Sequence, residues 1–251
     1  MIKVTLLGAG NVGFHLYKAI DQADGVEVME WYNRSLTTLK PYKEKVSITD
    51  QLSTLKEADI YLISVSDNAI DNISHALKDK KGIVAHTAGS VSIKTLHHHK
   101  SHGVFYPLQT FSKSRRIDFR EIPLCIEASN DEVENILYHF AEALGSTPHL
   151  INSEQRKALH LAAVFVNNFS NHLFTIGEEL CSKNHLPFSI LQPLIKETVD
   201  KLNYLSPKEA QTGPALRKDQ LTINRHLEDL QEDLHQQLYT ILSSSIQQKH
   251  E

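Results

Sequence analysis

The chain has 251 residues, 41% of them hydrophobic and 22% charged, which is long enough to bury a core and balanced like an ordinary soluble protein. Its formal net charge of −4 supplies no basic field for nucleic acid or an anionic membrane, and no apolar run approaches the roughly 20 residues of a membrane helix. Cys125 and Cys181 lie too far apart in sequence for a metal pair or a disulfide framework, and Met1-Ile2-Lys3-Val4 enters a strand pattern with no signal-peptide pattern, so a cytoplasmic setting is expected.

Residues 2–7 form a continuous apolar run, as expected of a strand buried on both faces. A glycine-rich turn follows, then a helical pattern through Phe14, Leu16 and Ile20. Further strands are predicted at residues 26–32, 46–48, 60–65, 82–86 and 122–127, and a helix over 131–144 with Asn130 or Asp131 as its cap and Gly145 as its stop. Alternating strands and helices predict an α/β domain, a Rossmann-type doubly wound parallel sheet, over residues 1–152. From residue 153 to 251 no convincing strand remains, and an all-helical second domain is expected. Its long helix runs from a start signal at Asn152-Ser153 with Gln155 to about Asn184. A second occupies residues 189–205, a short third opens at Ser206-Pro207, and a last stretch runs from Asp219 towards Ile246.

The strongest local signal is Gly8-Ala9-Gly10-Asn11-Val12-Gly13, a GxGxxG motif between a strand and a helix, the context that dinucleotide binding requires. Gly8 permits the turn, Gly10 admits a pyrophosphate, Gly13 allows close helix packing, and the amides of Asn11 and Val12 face the anion. At the end of the second strand, where NAD sites carry an acidic residue, stand Asn33, Arg34 and Ser35. A carboxylate there would repel a 2′-phosphate, whereas the Arg34 guanidinium suits one, so NADP(H) is expected over NAD(H). Ser64, Val65 and Ser66 end the fourth strand and are expected to line the cofactor. His86 ends the fifth, either as an acid or base or as a structural histidine.

On the long helix, Leu159, Ala162, Ala163, Val166, Phe169 and Leu173 form an apolar face. His160, Val164, Asn167 and Asn171 form a narrow polar stripe with Asn168 beside it. Read functionally, His160 donates a proton and Asn167 or Asn168 orients a substrate; read structurally, the stripe is a polar helix contact. Arg217, in the loop Thr212-Gly213-Pro214-Ala215-Leu216-Arg217-Lys218-Asp219, either binds a substrate carboxylate or pairs with Asp219, itself a candidate helix cap. Residues 105–111 read as an aromatic segment between strands. His97-His98-His99 reads as a solvated loop or helix end, because no carboxylate or thiolate stands at ligand spacing and no metal is expected.

The GAGNVG, NRS and SVSD pieces resemble the dinucleotide domains of pyrroline-5-carboxylate reductases and deazaflavin-dependent NADP reductases. The HTAGS, YPLQTF, HLAAVFVNNF and TGPALRKD pieces resemble a group of bacterial proteins that join such a domain to a helical C-terminal domain of unknown function. The resemblance implies an NADP-dependent oxidoreductase that is often dimeric through its helical domain. β-Hydroxyacid dehydrogenases are also similar, but they carry a catalytic lysine shortly before an asparagine pair on the long helix. Val164 stands there, three residues before Asn167, so that mechanism does not carry over. The sequence reading is therefore hydride transfer to or from a small carbonyl or imine substrate. The alternative is a non-catalytic NADP(H) sensor on the same fold.

Overall fold

The computed structural model describes residues 1–250. Eight strands form one sheet: β1 (Ile2–Leu7), β2 (Val26–Tyr32), β3 (Ser47–Thr49), β4 (Ile60–Ile63), β5 (Ile83–His86), β6 (His102–Pro107), β7 (Pro123–Ala128) and β8 (Thr147–Leu150). Their order is β3-β2-β1-β4-β5-β6-β7-β8. The first six run parallel, and β7 and β8 run against them, with β7 antiparallel to β6. This is the expected α/β Rossmann architecture, mostly rather than wholly parallel.

Two strands were not predicted. β6 was read as part of a connecting segment, yet Val104 and Phe105 are fully buried in it. β8 has one clearly apolar residue and carries Pro148, which an edge strand tolerates because no ladder N–H is needed on its open side.

Helices α1 (Asn11–Gln22), α2 (Asp67–Ala76) and α3 (Asp131–Ala143) cover the sheet. One core gathers Leu6, Leu16, Trp31, Leu62, Phe105 and Phe140, and a second gathers Leu7, Tyr32, Ile63, Ile70 and Val84. Successive residues such as Leu6 and Leu7 enter opposite cores, so β1 is buried on both faces and reads as an unbroken apolar run. Register aligns the strand ends: Leu7 pairs with Tyr32 and with Ile63, and Ile63 with His86. Gly8, Asn33, Ser64 and Thr87 therefore emerge along one edge.

The packing divides the chain into two compact units, residues 1–167 and 168–251. Where the sequence suggested a boundary at residue 152, α4 (Ser153–Ala163) packs with the sheet unit. Asn152 and Gln155 close its N-terminus as a reciprocal capping box. A π-helical turn (Val164–Phe169) follows, then α5 (Ser170–Lys183), so the predicted long helix is interrupted. The wider π turn breaks the straight stripe from His160 to Asn171.

In the second unit, α6 (Gln192–Asp200) is flanked by short 3-10 turns. The helix expected after Ser206 is only a turn, in which Ser206 N and Oγ donate to Glu209 Oε2. The predicted last helix is two, α7 (Gln220–Asp229) and α8 (Asp233–Lys249). The break contains neither Gly nor Pro. The Gln236 amide donates to the carbonyls of Leu227 (2.9 Å) and Leu230 (2.8 Å), satisfying groups at the end of α7. Among the described residues no helix is long and apolar enough to cross a membrane.

The histidine run is not uniformly solvated, contrary to the sequence reading. His97 is exposed and His98 half-buried, but His99 is buried and its Nε2 lies 3.0 Å from Ser74 Oγ and 3.1 Å from Ser74 O. The polar stretch hid one ring that turns inward onto α2. Burial, with His98 adjacent, pushes the His99 pKa down from 6.5 to about 4. The unfolded chain therefore takes up this proton first on acidification, and stability is complete above about pH 6.5 and declines as pH falls towards 4. Urea unfolding should lose on the order of 1–3 kcal/mol across that window from this group, and His99→Gln should flatten the slope; an unchanged slope would contradict the assignment.

Candidate active site

A cleft of about 580 Å³ opens along the aligned strand ends, lined by the glycine loop, residues 32–34, residues 64–67 and residues 87–89. Gly8 adopts φ +113°, and a Cβ there would stand 2.2 Å from the Ser64 carbonyl oxygen. At Gly13 it would stand 2.3 Å from the Gly8 oxygen. Both positions are closed to larger residues by backbone contact. Gly10 differs, since a Cβ there would meet nothing within 4 Å. Gly10 also caps α1 without any side-chain bond, so the first amides of α1, at Asn11 and Val12, are left to a ligand.

The loop is held from outside. Trp31 Nε1 donates to Gly8 O (2.8 Å), and Lys113 Nζ to Ala9 O (2.7 Å). Asn33 Oδ1 accepts from Ala9 N (3.2 Å) while its Nδ2 donates to Ser35 O (2.8 Å), and Ser35 Oγ caps a short turn at Thr37. The Asn33 side chain thus braces the glycine loop, while the Ser35 hydroxyl is engaged at Thr37. Arg34 is exposed on the cleft wall, and the described residues offer it no ion pair.

Ser64, Val65 and Ser66 line the cleft as expected. Ser66 begins α2 without a side-chain cap bond, and Asp67 accepts a hydrogen bond from Ser90. His86 does not line the cleft. It is fully buried, and its Nδ1 accepts from Ala88 N at 3.2 Å, so the neutral ring carries its proton on Nε2. Burial, reinforced by the Arg156 charge, pushes its pKa down to about 4. Of its two readings, the geometry favours the structural one.

At the far end of the cleft Gly89 separates it from a polar pair that the sequence reading only half identified. Tyr106 Oη lies 3.0 Å from His160 Nδ1. A Cβ on Gly89 would stand 2.6 Å from His160 Nδ1 and 2.7 Å from Tyr106 Cζ. Burial and the neighbouring Cys125 raise the Tyr106 pKa, with Arg156 partly opposing, so the phenol is neutral at ordinary pH and is able to donate to Nδ1. A neutral His160 then keeps its proton on Nε2.

Arg156, one turn before His160, is fully buried. Its Nη1 donates to the carbonyls of Ala88 (3.2 Å), Gly89 (2.9 Å) and Val91 (2.6 Å), and its Nη2 to Glu127 Oε2 (2.9 Å). Ser153 Oγ donates to the other Glu127 oxygen at 2.6 Å. Arg156 was not selected from the sequence, although extending the His160 stripe back by four residues reaches it. Asn167 is exposed on the π turn. Asn168 and Arg217 belong to the second unit and are exposed there. Asp219 caps α7 through Thr222 N (3.1 Å), and the hydrogen bonds from Thr222 lower its carboxyl pKa, with the Arg217 charge adding a smaller effect. Among the described residues no three His, Cys, Asp or Glu side chains form a metal-holding group.

The fold and the cleft together define a Rossmann protein of the dinucleotide-binding type. Residues 122–246 match the model of a domain of unknown function (DUF2520). The putative NADP oxidoreductase of Bacteroides fragilis is similar over 98% of each chain, with 40% identity and a TM-score of 0.91, and the chain belongs to the same family as that protein. An imine reductase from Myxococcus stipitatus solved with NADP+ shares the fold (TM-score 0.68, 18% identity, 98% and 93% of the two chains). So does a pyrroline-5-carboxylate reductase from Coxiella burnetii (TM-score 0.61, 16% identity, 99% and 97%). No curated protein matches by sequence.

Arg156 has a direct test. Arg156→Met removes the contacts to three carbonyls and to Glu127 and leaves that carboxylate in a largely buried place, so urea unfolding should show a loss of about 3–5 kcal/mol. A loss below about 1 kcal/mol would mean that the guanidinium does not organise this region.

Proposed function

We propose that this protein is an NADP(H)-dependent oxidoreductase acting on a small carbonyl or imine substrate. The observation that carries the reading is the cradle at Gly8–Gly13, bare at Gly10 and uncapped at α1, with Arg34 on the cleft wall. A pyrophosphate suits the free amides, and a 2′-phosphate suits a guanidinium with no carboxylate at position 33. The similarity to the Bacteroides protein, and the fold shared with reductases solved with NADP, support it. When bound, the cofactor supplies or accepts the hydride.

This chain's own residues do the rest. Asn11 and Val12 amides hold the pyrophosphate, Arg34 the 2′-phosphate, and Ser64 to Ser66 with residues 87–89 the ribose and nicotinamide side. As an imidazolium, His160 gives the Nε2 proton to the substrate oxygen or nitrogen and becomes neutral, keeping the Nδ1 proton, which Tyr106 Oη accepts in a hydrogen bond. Asn167 is a candidate orienting amide. The helical unit fits a second copy of the same chain: Val199, Leu202, Leu221, Leu234 and Ile241 are all more than half exposed, an apolar excess that a homodimer would cover. Two free thiols suit a reducing cytoplasm.

Titration of the protein with NADPH and, separately, NADH, followed by nicotinamide fluorescence, should show tighter binding of NADPH. Arg34→Ala should weaken NADPH by about tenfold or more and leave NADH nearly unchanged. Absence of binding by either nucleotide would overturn the reading.

Across a panel of carbonyls and cyclic imines, His160→Gln should lower kcat by about 10²-fold or more with nucleotide affinity retained. Tyr106→Phe should lose less and should shift the His160 ring away from the Nε2–H tautomer in ¹⁵N spectra. Full activity of His160→Gln would remove it as the donor, and an inert wild type that binds NADPH tightly would favour a sensor.

A further inference from the structure

A second, larger cavity lies between α1, the end of α3 and the β6–β7 connection, with a volume of about 1230 Å³. Its charge is unlike that of the chain. Lys18, Lys113, Arg115, Arg116 and Arg120 line it against only Asp24 and Asp118, in a protein of net charge −4. Asp118 is already taken, since both its oxygens accept from Arg120 Nε at 3.0 Å. Arg120 also lies against Gly145 at the end of α3, so this pair belongs to the helix end. The other four cations form no ion pair among the described residues, although the Arg116 charge also reaches Asp118.

Four like charges around one concavity repel each other, and a bound anion would relieve that repulsion. The floor is aromatic: Phe14 has Lys18 Nζ 5.2 Å from its ring centre and Lys113 Nζ 5.8 Å from it. Adjacent arginines supply planar forks that match phosphate oxygens. The lining segment is also tied to the cofactor cradle. Lys113 bonds Ala9 O, and Ser112 O lies 3.0 Å from Nε2 of the buried His15 on α1.

We propose that this cavity is a second binding site, separate from the dinucleotide cleft, for a small polyanion bearing two or more phosphate groups. Arg115 and Arg116 take the phosphates, Lys18 and Lys113 complete the charge, and Phe14 forms the floor. Because Lys113 touches the backbone of the glycine loop, occupancy of this cavity and of the cradle are linked, and each changes the affinity of the other by the same factor.

The test is calorimetric titration of the full chain with inorganic pyrophosphate and inorganic triphosphate, once unliganded and once with NADP+ present to fill the cradle. One polyanion should still bind with NADP+ present, and the double variant Arg115→Ala/Arg116→Ala should weaken it by about tenfold or more. The same variant should bind NADPH normally, which also shows that it is folded. The dependence on Arg115 and Arg116 decides the matter whether or not the nucleotide binds. No heat from either probe, or equal affinity in the double variant, would overturn the proposal.

Discussion

A buried guanidinium needs acceptors for its donors, and the two terminal nitrogens of Arg156 find theirs in the loop that ends the cleft and in Glu127. Three carbonyls of residues 88–91 point at one side chain, and Glu127 neutralises it from β7. Removing either partner strands the other, so the sheet, the loop and α4 are specified together. Everything at that end of the cleft inherits this arrangement: the path of residues 87–89, the contact of Gly89 with the Tyr106–His160 pair, and the inclusion of α4 in the sheet unit.

The opposite end is built by a different logic. Around Gly8 the constraint is absence of side-chain volume, with backbone oxygens closer than any Cβ tolerates. Trp31 and Asn33 then fix the loop from β2, and Lys113 from the distant β6–β7 connection. One end is defined by a charge that must be satisfied, the other by space that must stay empty. Between them the strand register lines up Leu7, Tyr32, Ile63 and His86, which sets the cleft's length.

Features with local causes were legible in the sequence. The glycine motif, the missing carboxylate at Asn33, the Ser64–Ser66 wall and the Asn152 capping box each follow from neighbouring residues. Features with non-local causes were not. Arg156 looks like a surface helix residue until Ala88, Gly89 and Val91 are seen to converge on it. Tyr106 looked like part of a loop because β6 gains its strand identity from β5 and β7. The α7–α8 break depends on one glutamine amide rather than on a Gly or Pro, and His99 turns inward from a polar run only because Ser74 awaits it. At Asn33 the sequence also hid a structural part, since its amide oxygen accepts from the Ala9 backbone.

Gly89 sits in the cleft wall on one side and within van der Waals reach of the His160 ring on the other. A side chain at this position would strike the imidazole, so the approach is open to glycine alone. The imidazole of His160 is thus a natural spectroscopic observer of the cleft, its ring resonances recording arrival and departure of an occupant without any label.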